Sequence, residues 1–226
     1  MGMRSRCLLL ALSLFLLGPI LNAPSALAAC TFSTSGYYTA SYDSTAKYYG
    51  GYGSSDELFG DGKTTSGSWI VRSITVWKDQ NNWAEFGWFR YPEFKAGNME
   101  LFQAESQAGT YDEWDENVIR PMAAHAYTLA SDTSNNWTAY FDYHQKHIMG
   151  NLFRYGWLTT QMERHNTCDD GQADWWNLHR RYSNNTYALW SNVWLWADSD
   201  ATYNCVGASH SELWSYASPQ FCPVTP

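Results

Sequence analysis

From Ser68 onward the chain repeats one pattern. A run of β-branched and aromatic residues is followed by a polar or glycine-bearing turn, roughly every 8–14 residues. Residues 69–77 read WIVRSITVW, and the cluster Asp79-Gln80-Asn81-Asn82 closes that run as a turn. The next run starts at Trp83 and stops at Pro92, because proline cannot continue a central strand. Met99 to Glu105, His125 to Ser131 and Trp137 to Tyr143 continue the series, with a polar turn at Asp132 to Asn136. Asn151 to Asn166 is the longest strand-like run. Strands at this spacing predict an all-β fold, an antiparallel β-sandwich in one domain over residues 29–226.

Three stretches depart from the series. Residues 31–68 are rich in Tyr, Gly, Ser and Thr and nearly free of aliphatic residues, which predicts a loop-rich arm or edge strands. Gln107 to Ala124 carries Asp112, Glu113, Asp115 and Glu116 and ends near Pro121, which predicts a surface insertion with a helical turn. Ala188 to Trp196 reads as one strand with Trp190, Trp194 and Trp196 on a single face.

The first 28 residues have the form of a secretory signal. Arg4 and Arg6 precede an apolar run from Cys7 to Leu21, and Ala26-Leu27-Ala28 supplies an A-x-A cleavage site. The expectation is a secreted protein with no membrane span. Leu27-Ala28-Ala29-Cys30 also fits a lipobox, which would anchor the chain through Cys30. A polar stretch separates Cys30 from the apolar run, which disfavours that alternative. Cys30, Cys168, Cys205 and Cys222 remain after cleavage, an even count that suits two disulfides in an oxidising compartment. Cys205 and Cys222 are close enough in sequence to pair, leaving Cys30 with Cys168, and the other connectivities stay open. The formal charge of -8 becomes more negative once Arg4 and Arg6 are removed, which argues against nucleic acid or an anionic membrane as partner. With 13 Trp and 16 Tyr, the chain holds more aromatic surface than a core of this size requires. Part of it either lines an exposed groove that binds sugar or peptide, or simply serves strand formation.

Two strand-like runs carry candidate chemistry. In the first, alternation puts Trp83, Glu85, Gly87 and Phe89 on one face and Ala84, Phe86 and Trp88 on the other. Both faces are mainly apolar, so this strand is expected to be central. A lone Glu85 there needs a raised pKa or a charged partner, unless it sits at a sheet rim in water. In the second, Phe153, Tyr155, Trp157, Thr159, Gln161, Glu163 and His165 share one face. That face begins aromatic and ends in an amide, a carboxylate and an imidazole, so its end is solvated or forms a site. If the two runs are neighbours in one sheet, Glu85 and Glu163 can face each other across a cleft, the minimum equipment for general acid–base hydrolysis.

The segment Trp83-Ala84-Glu85-Phe86-Gly87-Trp88 resembles a strand of the glutamic peptidases, in which a Glu or Gln is followed by one residue and then Gly. Trp137-Thr138-Ala139-Tyr140 is similar to their Trp-containing hairpin, and Gln161-Met162-Glu163 to the later strand with the second catalytic residue. The resemblance is to the neprosin-like peptidases, with two glutamates, and to the eqolisins, with a glutamine–glutamate pair. It spans about residues 68–180 and implies a concanavalin-like jelly roll. It also implies a secreted endopeptidase with catalytic Glu85, Glu163 and Gln161, and substrate contacts from Trp83, Trp88, Tyr155, Trp157 and His165. One glutamate would activate water and later protonate the leaving amine. The other carboxyl, or Gln161, would stabilise the oxyanion, without metal, cofactor or covalent intermediate. Such a carboxyl pair implies best activity at acidic pH. The rivals are a jelly-roll glycoside hydrolase, which lacks its expected Glu-x-Asp-x-x-Glu strand here, and a non-catalytic binding or envelope protein with an aromatic groove. Substrates are thus protein or peptide, with polysaccharide as the alternative.

Other motifs carry less. His144 and His147 have a spacing that suits two metal ligands on a helical turn, but solvated loop histidines are the simpler reading. No G-x-S-x-G elbow occurs. Asn136-Trp137-Thr138 and Asn184-Asn185-Thr186 are glycosylation sequons.

Overall fold

The alternation in the sequence is realised as fifteen strands, and the described residues contain no helix. The computed structural model describes residues 32–43, 46–56, 69–90, 98–119, 124–150, 152–166, 172–191, 193–197, 203–206 and 213–216. Every pairing between strands is antiparallel. One sheet has the order β13 (Val193–Ala197), β1 (Phe32–Asp43), β10 (Trp157–Asn166), β3 (Ile70–Asp79), β4 (Asn82–Arg90), β5 (Asn98–Gln107), β6 (Thr110–Ile119). The other runs β14 (Tyr203–Val206), β15 (Leu213–Tyr216), β11 (Gln172–Arg181), β2 (Gly50–Asp56), β7 (Ala124–Ser131), β8 (Trp137–Phe141), β9 (His144–Met149), with β12 (Tyr187–Leu189) added to β11. This is the antiparallel β-sandwich that the strand spacing predicts, of the jelly-roll type that the resemblance implies.

The sheets face each other through their inward residues. Ile74, Val76, Phe86, Trp88, Leu158 and Met162 of the first sheet meet Tyr127, Leu129, Trp137, Trp175 and Leu178 of the second. Each such side chain contributes about 1.5–3 kcal/mol by leaving water. Within this layer the Trp137 indole Nε1 donates to the Phe153 carbonyl at 2.6 Å. Turn chemistry fixes the hairpin registers. Asp79 Oδ1 accepts from the Asn81 amide and the Asn82 side chain at 3.0 and 2.8 Å between β3 and β4. Between β8 and β9, Asp142 and Tyr143 both have positive φ, 48° and 67°, the geometry of a type I′ turn.

Several expectations change. The described parts of residues 31–68 form β1 and β2, and neither is an edge: β1 lies between β13 and β10, and β2 between β11 and β7. β2 lacks aliphatic residues because it runs too close to its neighbours to hold them. A Cβ on Gly51 would sit 2.3 Å from Leu158 Cδ2 and 2.5 Å from the His179 carbonyl oxygen. The acidic stretch is not a helical insertion. It is β6, paired along its whole length with β5 through a tight turn in which Ala108 and Gly109 have φ of 50° and 84°. Ala188 to Trp196 is not one strand either. The chain leaves the second sheet at Leu189, buries Trp190 and enters the first sheet at Val193, so Trp190 is in the core while Trp194 is 58% exposed. The long run begins as a strand only at Trp157. His144 and His147 lie on β9 rather than on a helical turn, and His147 stacks on Trp114 at 3.9 Å between centroids.

Candidate active site

The outward face of the first sheet is built from residues two apart on β10, β3, β4, β5 and β6. Cross-strand register sets them in transverse rows. One row runs Thr159, Thr75, Glu85, Ala104, Glu113. The next runs Gln161, Ser73, Gly87, Phe102, Asp115, and the third begins Glu163, Val71, Phe89. Indoles from Trp77, Trp83 and Trp69 and the Tyr111 ring rise around these rows and enclose a half-open cavity of about 340 Å³. Trp77 and Trp83 pack against each other at 5.6 Å, and Trp83 against Tyr111 at 5.8 Å. Phe89, Phe102 and Ala104, with Val71 and Trp83 against them, form a small apolar floor separate from the main core.

Glu85 stands in the middle of this floor and is 9% exposed. Two donors converge on its Oε1: the Ser73 hydroxyl from β3 and the Gln161 side-chain amide from β10. Both cross from a neighbouring row, so the row geometry itself brings them to the same oxygen. Burial pushes the Glu85 carboxyl up to about 7, and the two hydrogen bonds oppose that rise without cancelling it. Beneath them the Thr159 hydroxyl donates to the Thr75 carbonyl at 3.3 Å and accepts from Trp77 Nε1 at 3.1 Å, which fixes one wall. Gly87 is required by the close approach of β4 to β3. A Cβ there would lie 1.9 Å from the Arg72 carbonyl oxygen.

At the mouth, Glu113 is exposed, and its carboxyl is also raised to about 7 by partial desolvation, by Asp115 beside it and by the charge of Glu85. Solvent screens this group far more than Glu85, so its shift carries less energy.

The same fold occurs in solved glutamic peptidases. Scytalido-glutamic peptidase bound to a peptide-based transition-state analogue superposes with a TM-score of 0.61, at 9% identity, covering 80% of this chain and 98% of that one. SCP-B, a member of the eqolisin family in complex with the tripeptide Ala-Ile-His, gives 0.57 at 10% identity over 80% and 98% of the two chains. At such identities the likeness is one of fold. No protein-family model and no curated protein sequence matches the chain.

Of the residues singled out in the sequence, Glu85, Gln161, Glu163 and Trp83 line one cavity. Their strands are not neighbours, contrary to the simplest expectation: β3 lies between β4 and β10. The side chain bonded to Glu85 is therefore Gln161, reaching over β3, and Glu163 lies one row further along. Trp88 turns to the opposite face, 2% exposed, with the Arg72 guanidinium 4.9 Å from its ring centroid, so it does not reach the cavity. Tyr155 precedes β10 and packs against Tyr49 at 5.6 Å, away from Glu85. Trp157 shares the cavity's face at the Trp77 end, paired with Trp77 in register and half open to solvent at 36%. The His165 side chain lies outside the described residues, as do Cys30, Cys168, Cys222 and the Cys205 side chain, and so do residues 1–31 with the signal segment.

Sequence reasoning missed Ser73, Glu113 and Tyr111. Ser73 was legible through its odd-numbered companions: Trp69, Val71, Ser73, Thr75 and Trp77 share a face whose two central members are polar. Glu113 was hidden because acidic residues stand on both faces of β6 and mask the alternation.

Proposed function

We propose that the protein is a hydrolase of the glutamic-peptidase type, cleaving peptide bonds with Glu85 as general base and Gln161 as the amide partner. The observation that carries this reading is the convergence of Ser73 and Gln161 on one oxygen of a buried carboxyl at the floor of an aromatic-walled cavity. Glu85 Oε2 takes the proton of a water that attacks the scissile carbonyl, and Glu85 then returns that proton to the leaving amine. Gln161, a neutral donor beside the same carboxyl, polarises the carbonyl oxygen and stabilises the charge that develops on it. The eqolisin pair has its amide on the earlier strand and its carboxyl on the later one; here the order is reversed. The geometry tolerates the exchange because both residues project from the same face across one intervening strand.

An amide in place of a second carboxyl changes the pH behaviour. Two carboxyls in one site need one protonated and one ionised, which forces an acidic optimum. A single carboxyl with an amide needs only Glu85 ionised, so kcat/KM rises with pH and levels off near the Glu85 pKa of about 7. Export through the signal segment at residues 1–28, with two disulfides, belongs to the same proposal, and N-terminal sequencing and thiol counting of the secreted protein test it.

The functional test is an assay of the purified protein on denatured protein and on polysaccharides, from acidic to neutral pH. Cleavage of protein that is lost in Glu85→Gln and strongly reduced in Gln161→Ala supports the proposal. Wild-type turnover in either variant, or turnover of polysaccharide alone, overturns it in favour of a binding role or a glycoside hydrolase.

A further inference from the structure

The cavity carries a charge bias that the hydrolytic step does not use. Glu113 lies in the same transverse row as Glu85, separated from it by Ala104, and the two carboxyls feel each other's charge. Glu163 lines the cavity from the other side. Among the described lining residues there is no lysine, arginine or histidine. Aromatic faces from Trp77, Trp83 and Tyr111 complete the enclosure.

β6 shows that this bias is local. Its opposite face presents Glu116, which has a cation within the chain, Lys146 Nζ at 3.0 Å. Glu113, on the cavity face, has a second carboxyl, Asp115, as its neighbour instead. A like-charged pair at the rim of an aromatic pocket favours an incoming cation on two counts. The ring faces attract it through their quadrupole, and a carboxylate adds a charge-assisted hydrogen bond. A neutral aliphatic side chain gains neither, and an acidic one is repelled.

We propose that the cavity selects peptides carrying a lysine or arginine side chain beside the scissile bond, and that Glu113 is the residue that sets this preference. The proposal rests on the peptidase reading above and deepens it.

The test uses three synthetic peptides identical except for lysine, norleucine or glutamate at the residue flanking the cleaved bond. They are assayed above the Glu113 pKa of about 7, where its carboxyl is ionised. The wild type is expected to prefer lysine over norleucine in kcat/KM by about tenfold, equivalent to about 1.4 kcal/mol, and to reject glutamate. Glu113→Gln is expected to bring the lysine-to-norleucine ratio close to one, while Glu116→Gln, on the other face of β6, leaves it as in the wild type. Equal wild-type turnover of lysine and norleucine peptides, or an unchanged ratio in Glu113→Gln, overturns the proposal and leaves the peptidase reading intact. If none of the three is cleaved, the peptidase reading fails. The charge preference is then decided by titrating the same peptides against the protein's tryptophan fluorescence: tighter binding of the lysine peptide that Glu113→Gln abolishes sustains it, and equal binding sinks it.

Discussion

Replacing Glu85 by glutamine should make the protein inactive and, at neutral pH, more stable. Glutamine keeps the shape of the side chain and an oxygen that can accept from both Ser73 and Gln161. What it removes is the ionisation. Burial raises the Glu85 pKa from 4.5 to about 7, so the folded protein holds this proton more tightly than the unfolded chain does. The resulting stabilisation is complete below the unfolded value and is lost as pH rises through about 7. At 1.36 kcal/mol per pH unit, the gap amounts to about 3 kcal/mol by the time the carboxyl is fully ionised in the folded state. The variant has no such loss. Urea unfolding of both proteins at about pH 4 and about pH 8 should show the stability difference moving by about 3 kcal/mol in the variant's favour. Titrating groups that do not feel Glu85 are common to both proteins and cancel in the difference, while Glu113 loses the repulsion of the Glu85 charge in the variant, which moves the difference the same way. A difference that stays flat across this pH range would mean that Glu85 is solvated in the folded state, and the case for it as a tuned base would go with it.

Three further changes probe the elements around it. Gln161→Ala removes the amide donor, so kcat/KM should fall by about 10²–10³-fold, and loss of its bond to Glu85 should move the rising limb of the pH–rate profile above about 7. Gly87→Ala places a Cβ 1.9 Å from the Arg72 carbonyl oxygen, and forcing β3 and β4 apart should cost about 3 kcal/mol in denaturant unfolding; an unchanged midpoint would contradict the close approach. Ala108→Gly relieves a left-handed residue at φ 50° in the β5–β6 turn and should raise stability by about 1 kcal/mol, read as a shift in thermal midpoint.

The strands themselves were readable because half-buried strands alternate, and β3, β4, β7 and β8 fall where the pattern of β-branched and aromatic residues places them. Two kinds of strand escape that reading. β2 packs so closely that glycines replace its inward side chains, leaving no apolar alternation to detect. β6 is a wall of the cavity on one face, and on the other Trp114 packs against the core between Asp112 and Glu116, so charge dominates both faces and hides the period. Its turn adds to this, since Ala108 occupies a positive-φ position where asparagine or glycine would have announced a hairpin. The break between Leu189 and Val193 was invisible for another reason: a chain crossing from one sheet to the other keeps its hydrophobic residues, and only the pairing partners change.

The site was half legible, and the missing half lies in strand order. Sequence places Glu85 and the Gln161–Glu163 pair on strands but not which strand lies between them. If β4 and β10 were adjacent, the directly opposed side chain could have been either polar member of β10. With β3 interposed, reach decides. Gln161 pairs with Ser73 and Ser73 with Gly87, one row from Glu85, so the amide and the hydroxyl arrive diagonally on one oxygen, whereas Glu163 is a further row away. Electrostatics favours the same outcome. A second carboxyl in contact with Glu85 would add like-charge repulsion to a group that burial has already driven to about 7, whereas a neutral amide lowers that value through its hydrogen bond. The arrangement therefore puts a neutral amide, and not a second carboxyl, in contact with Glu85 at the floor, and leaves Glu163 and Glu113 on the walls of the cavity.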